Sequence, residues 1–420
     1  MKVAVIGGGA LGVSSASWLL RDGHEVTIID PDPIAQGSSF GNAGCLNLSS
    51  VVPMSLPGNI SKVPGWLLDP LGPLAIRWRY LPQITPWLIR FLRAGTSARV
   101  GEQAAALRDL LHDSVALTSE LAQWAGAQDL IRRQGHLVVY RSREAFEGDA
   151  YGWRLRRDNG IVFDTLGQDE VWQLEPSLSK DCRIGLYFPG NGHTTNPNRL
   201  INSWADAFQR DGGTITRARA TAFEFEGTTL RGVLSNHGTI AADAAVIAAG
   251  AYSKPLAGQL GDVLPLDTER GYHVIVREPE AMPRLPVMDA EGKFVATPME
   301  TGLRLAGTVE FAGLDAAPDW RRADKLLTLG QRLFPALQSR YSEDRLSRWM
   351  GRRPSMPDSL PVIGLSRRCP QIAYAFGHGH VGLAACARTG LLVAELLGER
   401  TPSISLKPFS PRRFDSLASK

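Results

Sequence analysis

The sequence has few of the features that mark disulfide-bonded, metal-binding or membrane-spanning proteins. Its four cysteines are widely scattered, and none forms a CxxC pair or has a histidine at metal-ligand spacing. This pattern predicts a reduced compartment and argues against a metal or disulfide framework. No uninterrupted apolar run reaches the length that crosses a bilayer. We therefore expect a protein without a bound metal, without disulfides and without a membrane span.

Charge and composition exclude further classes. A net charge of +4 over 420 residues is too small to indicate nucleic-acid binding. The hydrophobic content of 44% is ordinary for a globular protein, and the length allows two domains with separate cores. Lys2 and the apolar residues after it resemble the start of a signal peptide, but the glycines at positions 7–9 interrupt them. We therefore expect a cytoplasmic protein.

The first thirty residues are the most informative part of the chain. Residues 2–6 are an apolar run of strand length, and residues 7–12 read GGGALG. Residues 13–20 have helical composition, and a second strand at residues 26–29 ends on Asp30. Strand, glycine turn, helix, strand and acid follow one another in the order of a dinucleotide-binding βαβ unit.

Each conspicuous residue of this unit has a physical role. Gly7 permits the tight turn, Gly9 lets backbone amides approach a pyrophosphate, and Gly12 lets helix and strand pack closely. The positive end of the helix dipole then faces the phosphates. Asp30 can accept hydrogen bonds from ribose hydroxyls, which disfavours a 2′-phosphate. The motif predicts nucleotide binding but does not distinguish FAD from NAD.

Residues 51–101 have a different composition. They contain seven prolines, the tryptophans Trp66, Trp78 and Trp87, several arginines, and Asp69 as the only acid. The prolines exclude one long helix and predict short helical pieces such as residues 87–91. Two interpretations remain open, namely a lid with buried aromatic residues or a surface that contacts anionic lipid.

Four later segments add to the nucleotide site and to a second sheet. Residues 243–251 predict a buried strand that ends on small residues. Such an end would leave room for a dinucleotide beside the first turn. An ordinary buried strand followed by a glycine turn would have the same sequence pattern. Residues 270–276, 293–297 and 303–309 show the moderate alternation of an antiparallel sheet.

The C-terminal part carries two candidate chemical motifs. Arg352 and Arg353 lie beside glycine and proline, so a rigid backbone could hold a guanidinium against a carboxylate, although solvated surface arginines are the alternative. Residues 377–382 read GHGHVG before a helix, a pattern that favours developing negative charge such as that of a reduced flavin. His378 and His380 have no nearby carboxylate, which argues against a metal.

Taken together, these blocks resemble the FAD-dependent D-amino-acid oxidase superfamily. The resemblance is closest to bacterial D-amino-acid dehydrogenases of the small-subunit type and to D-hydroxyproline dehydrogenases, and it covers nearly the whole chain. The residues that carry it are 5–12, 39–44, 73–77, 248–251, 351–364 and 377–382.

The resemblance implies an α/β plus α+β fold with two domains. A Rossmann-type FAD-binding domain would be assembled from the discontinuous segments 1–49, 96–129, 191–261 and 349–420. A substrate domain built on an antiparallel sheet would comprise 50–95, 130–190 and 262–348.

The resemblance also implies roles for individual residues. Arg353 corresponds to an arginine that pairs with the substrate carboxylate in relatives. His380 stands where relatives have arginine or threonine, so its role stays open. Several relatives place a tyrosine hydroxyl about where Phe294 falls, and we expect Tyr272 or His273 to contact the substrate instead.

The resemblance implies FAD as the cofactor. Some sarcosine-oxidase relatives bind flavin covalently through a cysteine near the position of Arg353, and this sequence has no cysteine there, so we expect non-covalent FAD. The residues expected to bind it are Gly7, Gly9, Ala10, Leu11, Gly12, Asp30, Pro31, Ser38, Ser39, Asn42, Ala43, Gly44, Thr221, Ala222, Ala249, Gly250, Gly377, Gly379, His380, Val381 and Gly382.

The implied activity is oxidative deamination of D-amino acids, with D-proline or hydroxy-D-proline as a special case. The carboxylate would bind Arg353, and a hydride would pass from Cα to flavin N5, with a quinone or another acceptor taking the electrons. A glycine or sarcosine oxidase that uses oxygen is the alternative, and a flavin-binding subunit without turnover is a third interpretation. Expected partners are the substrate, the acceptor, another subunit, and a membrane surface met through residues 51–100, but no nucleic acid.

Overall fold

The computed structural model describes residues 1–57 and 71–417. Its strands are β1 (Lys2–Ile6), β2 (Glu25–Asp30), β3 (Cys45–Leu46), β4 (Leu74–Ile76), β5 (Ile131–Arg132), β6 (His136–Tyr140), β7 (Asp164–Leu166), β8 (Ile184–Phe188), β9 (Gly192–Thr194), β10 (Thr214–Arg217), β11 (Ala220–Glu226), β12 (Thr229–Ser235), β13 (Gly238–Ala241), β14 (Ala244–Ile247), β15 (Asp267–Val276), β16 (Val287–Asp289), β17 (Phe294–Met299), β18 (Gly302–Phe311), β19 (Leu346–Ser355), β20 (Val362–Leu365) and β21 (Ile372–Phe376).

The helices of the described residues are α1 (Ala10–Arg21), α2 (Leu81–Ala94), α3 (Ser97–Leu111), α4 (Ser114–Trp124), α5 (Arg143–Gly148), α6 (Ala150–Asp158), α7 (Gln168–Leu174), α8 (Pro197–Arg210), α9 (Ser253–Gln259), α10 (Arg321–Leu333) and α11 (Gly382–Leu397). Short 3₁₀ turns precede α2, α9 and α11 at Trp78–Tyr80, Gly250–Tyr252 and Gly379–Val381.

A six-stranded sheet contains the N-terminal unit. Its order is β10-β2-β1-β14-β21-β20, and every neighbouring pair is parallel except β20 with β21. Strands β1 and β14 lie in the middle of the sheet and are buried, which explains why their sequences are apolar runs. The sheet draws on residues near 2, 214, 244 and 372, so it is assembled from distant segments of the chain.

Helices α1 and α11 pack tightly beside this sheet. A Cβ atom at Gly390 would lie 2.7 Å from the Ser14 carbonyl carbon, so the two helix backbones approach closely. Ser14 Oγ donates to the Cys386 carbonyl oxygen at 2.7 Å, and Trp18 Nε1 donates to the Ala387 carbonyl oxygen at 3.0 Å. Gly379–Leu397 is apolar and long enough to cross a membrane, but 78% of it is buried inside the protein, as in a core helix.

A second, mostly antiparallel sheet runs in the order β19-β15-β18-β17-β16-β6-β8-β7, with β4 added beside β18. One face is apolar and packs on α10 through residues such as Val274 and Leu303. The other face, which we call the inner face, meets the loop at residues 38–44 through His273 and Trp349. The predicted combination of a Rossmann-type sheet and an antiparallel sheet is confirmed.

The predicted domain boundary at residue 349 lies inside β19. All ten residues of this strand pair with β15, so the structure places 349–355 in the antiparallel sheet. The paired register is antiparallel throughout, with Gly271 opposite Gly351 and Glu269 opposite Arg353.

Within residues 71–101, where the prolines predicted only short helical pieces, Leu81–Ala94 forms one longer helix, α2. Helix α2 continues through Pro86. Pro86 lies inside the helix and lacks the N–H that would bond to the Pro82 carbonyl oxygen, but burial of Ile84 and Trp87 against Phe311 offsets this loss. Trp66 and Asp69 lie outside the described residues.

Candidate functional site

The glycine turn after β1 is shaped by close backbone contacts. Gly7 has a φ of 117°, and a Cβ atom there would lie 2.4 Å from the Ala248 carbonyl oxygen. A Cβ atom at Gly12 would lie 1.7 Å from the Gly7 carbonyl oxygen, so helix α1 can approach β1 only without a side chain at position 12. Both positions therefore require glycine.

The N-terminus of α1 is open toward the turn. The cap residue Gly9 has an extended backbone and makes no side-chain cap bond, and the first turn contains no acid. The Ala10 N–H donates to Ser39 Oγ at 3.0 Å, which ties the loop at residues 38–44 to the helix start. Backbone amides and the helix dipole at this end favour an anionic group such as a phosphate.

Asp30 lies at the end of β2 beside this turn. Its Oδ2 accepts from the Gly8 N–H at 2.6 Å, and its Oδ1 accepts from the Asp32 N–H at 2.8 Å. Burial raises the pKa of Asp30, while these two hydrogen bonds act in the opposite direction. Each carboxylate oxygen keeps a second lone pair, so the side chain can still accept a hydroxyl hydrogen.

A cavity of about 560 Å³ extends from Asp30 to strand β19. This is the size of a small-molecule or cofactor site. The predicted cofactor residues that line it are Gly7, Gly9, Ala10, Leu11, Asp30, Pro31, Ser38, Ser39, Thr221, Ala249 and Gly250. The cavity is also lined by Gln36, Arg219, Trp349 and Arg352, which were not predicted as cofactor residues. Asn42, Ala43, Gly44, Ala222 and residues 377–382 do not line this cavity, and Gly12 lies beneath the turn.

The inner face meets the loop through an aromatic stack. The His273 and Trp349 rings are stacked at 5.1 Å with an interplanar angle of 19°. A Cβ atom at Gly41 would lie 2.1 Å from the Trp349 ring, so the loop backbone rests directly on the indole. Burial lowers the pKa of His273 to about 3, and its Nδ1–H therefore donates to the Gly41 carbonyl oxygen at 3.0 Å from a neutral ring.

Arg353 lies on the same face and is held in place. A Cβ atom at Gly271 would lie 2.0 Å from its Nη2 atom, so the guanidinium lies flat against the strand. Nη1 donates to the Thr308 carbonyl oxygen at 3.0 Å. Burial lowers the pKa of Arg353, but a guanidinium stays protonated at any physiological pH. The alternative of a freely solvated surface arginine does not describe this side chain.

Residues 377–382 carry two different histidines. His378 is buried, and its Nε2 lies 2.9 Å from Thr389 Oγ1. His380 has an exposed side chain, yet the surrounding protein and then the cations Arg353 and Arg156 lower its pKa to about 4. The His380 side chain is exposed although protein surrounds it, which indicates that it borders an internal space. The ring is neutral at pH 7 because of its lowered pKa. No cluster of three potential metal ligands occurs within residues 1–57 and 71–417.

Tyr272 and Phe294 lie on the opposite face from Arg353 and His273. The Tyr272 hydroxyl donates to Glu310 Oε2 at 2.6 Å and accepts from the Asp319 N–H at 3.0 Å. Both rings belong to the core that packs on α10. The structure therefore does not bring Tyr272 to the candidate site, because side chains alternate along β15 and only odd-numbered residues reach the inner face.

Comparison with known proteins gives a consistent family. The model of the DAO family, described as FAD dependent oxidoreductase, matches residues 2–396. A D-amino-acid oxidase of Bradyrhizobium diazoefficiens is 49% identical over 98% of each chain. A D-amino acid dehydrogenase of Dechloromonas aromatica is 30% identical over 96% of this chain and 98% of its own.

Solved structures share the fold. Glycine oxidase from Geobacillus kaustophilus superposes with a TM-score of 0.76 at 23% identity, covering 98% of each chain. L-Proline dehydrogenase from P. horikoshii superposes with a TM-score of 0.75 at 18% identity, covering 99% of this chain and 98% of that one. At these identities the structures establish a common fold and nothing about the substrate.

Proposed function

The chain belongs to the DAO family of FAD-dependent oxidoreductases, and on that premise we propose that it oxidises D-amino acids to imino acids. Water then hydrolyses the imino acid to a keto acid and ammonia. The observation that carries the proposal is the guanidinium of Arg353, held against Gly271 on the inner face beside the neutral ring of His380. The relative named D-amino-acid oxidase, at 49% identity, supports the D-configuration.

The cofactor site has the form that FAD needs. The open N-terminus of α1 would bind the pyrophosphate, and Asp30 would accept hydrogen bonds from the ribose hydroxyls. Ala249 and Gly250 would form one wall of this site. Within the described residues, Nδ1 of the buried His378 has no hydrogen-bond partner, which suits a polar ligand at residues 377–382. FAD, when bound, supplies the redox chemistry by accepting a hydride from the substrate Cα.

The protein would bind and orient the substrate. The fixed guanidinium of Arg353 matches a carboxylate with two parallel hydrogen bonds, which sets the position of Cα. His380 is neutral at pH 7 and can accept a hydrogen bond from the amine. The carbonyl oxygen of Thr308 already binds Nη1, so it orients the guanidinium before the substrate arrives.

The direct test is an anaerobic titration of the FAD-loaded protein with D- and L-amino acids, including D-proline and cis-4-hydroxy-D-proline, and with glycine and sarcosine. We expect the oxidised-flavin absorption to be lost with D-enantiomers and retained with L-enantiomers. Bleaching by glycine or sarcosine alone would establish the alternative amine-oxidase function. A yellow protein that none of these compounds bleaches would contradict the proposal.

The same samples identify the electron acceptor. We propose that the reduced enzyme passes its electrons to a quinone or to oxygen. The acceptor is identified by which of the two reoxidises the flavin rapidly. Recovery of the flavin absorption in air within one turnover time would assign oxygen. Slow recovery in air that a short-chain ubiquinone accelerates would assign a quinone.

We further propose that the outer face of α2 contacts an anionic membrane surface from the cytoplasmic side. Trp78, in the 3₁₀ turn before α2, is 76% exposed, and Ile89 and Leu92, three residues apart in α2, are 44% and 39% exposed. Arg79 and Arg93 flank them, and residues 71–101 contain no acid. Apolar residues beside arginines are the composition of an interfacial helix.

Vesicle flotation tests this surface. We expect the protein to float with vesicles that contain phosphatidylglycerol, to stay unbound with pure phosphatidylcholine, and to be released by salt. Trp78→Ser with Ile89→Ser should reduce flotation at least about tenfold, because each removes apolar area that would enter the interface. Val263→Ser, at an apolar residue with 61% exposure near the six-stranded sheet, is the matched control. Equal flotation of all variants would contradict the proposal.

A further inference from the structure

A buried acid faces the substrate-binding arginine. Glu269 in β15 is directly opposite Arg353 in β19, both side chains lie on the inner face, and Glu269 is only 4% exposed. Arg353 stabilises the charged form of Glu269 electrostatically. No motif marked this residue in the sequence, because its position depends on the register of two strands that are about 80 residues apart.

Glu269 also contacts Ser355, which connects it to residues 377–382. Ser355 Oγ donates to Glu269 Oε1 at 2.6 Å, and Ser355 forms a backbone bridge with His378. Through Ser355 the carboxylate is therefore linked to residues 377–382, the second part of the proposed substrate site beside Arg353. Asp267 also acts on Glu269, and its negative charge opposes the ionisation of the Glu269 carboxyl.

The charge state of Glu269 depends on what occupies Arg353. Burial raises the pKa of Glu269, and Arg353 is the cation that opposes this effect. A substrate carboxylate on Arg353 would add a second anion and share the same cation. Two buried carboxylates beside one guanidinium cannot both stay ionised without a large desolvation cost.

We infer that Glu269 takes up one proton when a carboxylate ligand binds Arg353, so that one negative charge remains opposite the guanidinium. Glu269 is then a positioning residue that acts through Arg353. The inference rests on the proposed function, since it takes Arg353 as the site of the substrate carboxylate.

The proton balance of catalysis follows. An amino acid arrives as a zwitterion, and its ammonium must lose one proton before the neutral amine can be oxidised. Glu269 gains one proton in the same binding step. When an amino acid binds as its reactive neutral amine, the proton lost by the ammonium equals the proton gained by Glu269, so no net proton is released to solvent. When a carboxylate without an amine binds, Glu269 must take its proton from solvent.

Propionate, which carries the carboxylate of alanine without its amine, is the probe for this difference. Its binding to the FAD-loaded enzyme is followed by the change in flavin absorption and by calorimetry in two buffers of different ionisation enthalpy. We expect the uptake of up to about one proton per propionate, and a Kd that rises up to tenfold for each pH unit above the pKa of Glu269.

Glu269→Gln keeps the size and the Ser355 hydrogen bond but cannot change its charge. We expect this variant to bind propionate with no proton uptake and with a Kd that does not depend on pH between 6 and 9. Glu175→Gln, at a buried acid that contacts Ser177 and the Arg284 N–H, is the matched control and should behave as the wild type.

Two results would overturn the inference while leaving the proposed function intact, namely propionate binding by the wild type without proton uptake, or uptake that persists in Glu269→Gln. If Glu269→Gln fails to fold, the absence of proton uptake by the wild type would still overturn the inference. If propionate neither perturbs the flavin nor produces heat, the carboxylate site itself is absent, and the proposed function fails together with the inference.

Discussion

Arg353→Ala is expected to raise KM for the amino-acid substrate by about two to three orders of magnitude while FAD stays bound. Removing one partner of a desolvated, hydrogen-bonded charge pair costs about 2–5 kcal/mol, and each 1.4 kcal/mol is a factor of ten. The guanidinium lies on the inner face against Gly271 and does not line the 560 Å³ cavity, so the nucleotide part of the cofactor keeps its contacts.

Steady-state kinetics and the flavin content of the purified variant test this expectation together. Arg353→Lys should recover part of the loss, because a lysine supplies charge but not the planar fork. Arg348→Ala is the matched control, since Arg348 lies on the same strand and pairs at the surface with Asp324 and Glu343. Surface pairs of this kind are worth less than about 1 kcal/mol. A variant Arg353→Ala that lost FAD and kept its KM would show that Arg353 serves the cofactor instead.

Gly12→Ala is expected to abolish FAD binding and to destabilise the fold by about 3 kcal/mol or more. The added methyl group would lie 1.7 Å from the Gly7 carbonyl oxygen, which is backbone and cannot rotate away. Helix α1 would have to move off β1, and that movement would displace the amides that face the pyrophosphate. Overpacking in a tight core typically costs about 1–3 kcal/mol, and a clash with backbone exceeds that range.

Chemical denaturation and the ratio of flavin to protein absorption measure the two effects. Gly101→Ala is the control, because Gly101 lies within α3 and, apart from its chain neighbours and the local helix backbone, no atom lies within 4 Å of the added Cβ position. A helical glycine with free space should tolerate alanine or gain up to about 1 kcal/mol. Wild-type stability and flavin content in Gly12→Ala would contradict the close approach of α1 and β1.

The fold was predictable where local signals agree with one another. Residues 2–30 combine an apolar strand, glycines, a helix and a terminal acid, and the structure forms β1 and β2 within one residue of their predicted bounds. Helix α1 begins at Ala10, three residues before the predicted start. Helix α2 was not predicted as one piece, because Pro86 is a strong local signal for a break. Burial against Phe311, a residue more than 200 positions away, outweighs that signal and is invisible in a local window.

Side-chain orientation in the antiparallel sheet shows a second limit. Alternation in β15 indicates that Tyr272 and His273 lie on opposite faces, but it does not indicate which face meets the loop at residues 38–44. That choice depends on α10, which covers the Tyr272 side. For the same reason Phe294 lies in the core, and its neighbour Val295 takes the inner-face position in β17. Glu269 could be found only once the register of β15 and β19 was known.

The order of strands in the six-stranded sheet has a consequence for how the protein is made. Strand β1 is synthesised before its neighbour β14, which follows about 240 residues later, and before β21, the strand beyond it, which follows about 370 residues later. The nascent chain therefore carries exposed, strand-forming apolar segments through most of its synthesis, a state that is slow to fold and prone to aggregate. The wall of the glycine turn includes Ala248, so even a fragment that ends before β14 would lack part of the nucleotide cradle. Cofactor loading must consequently wait until β14 has been synthesised and has paired with β1.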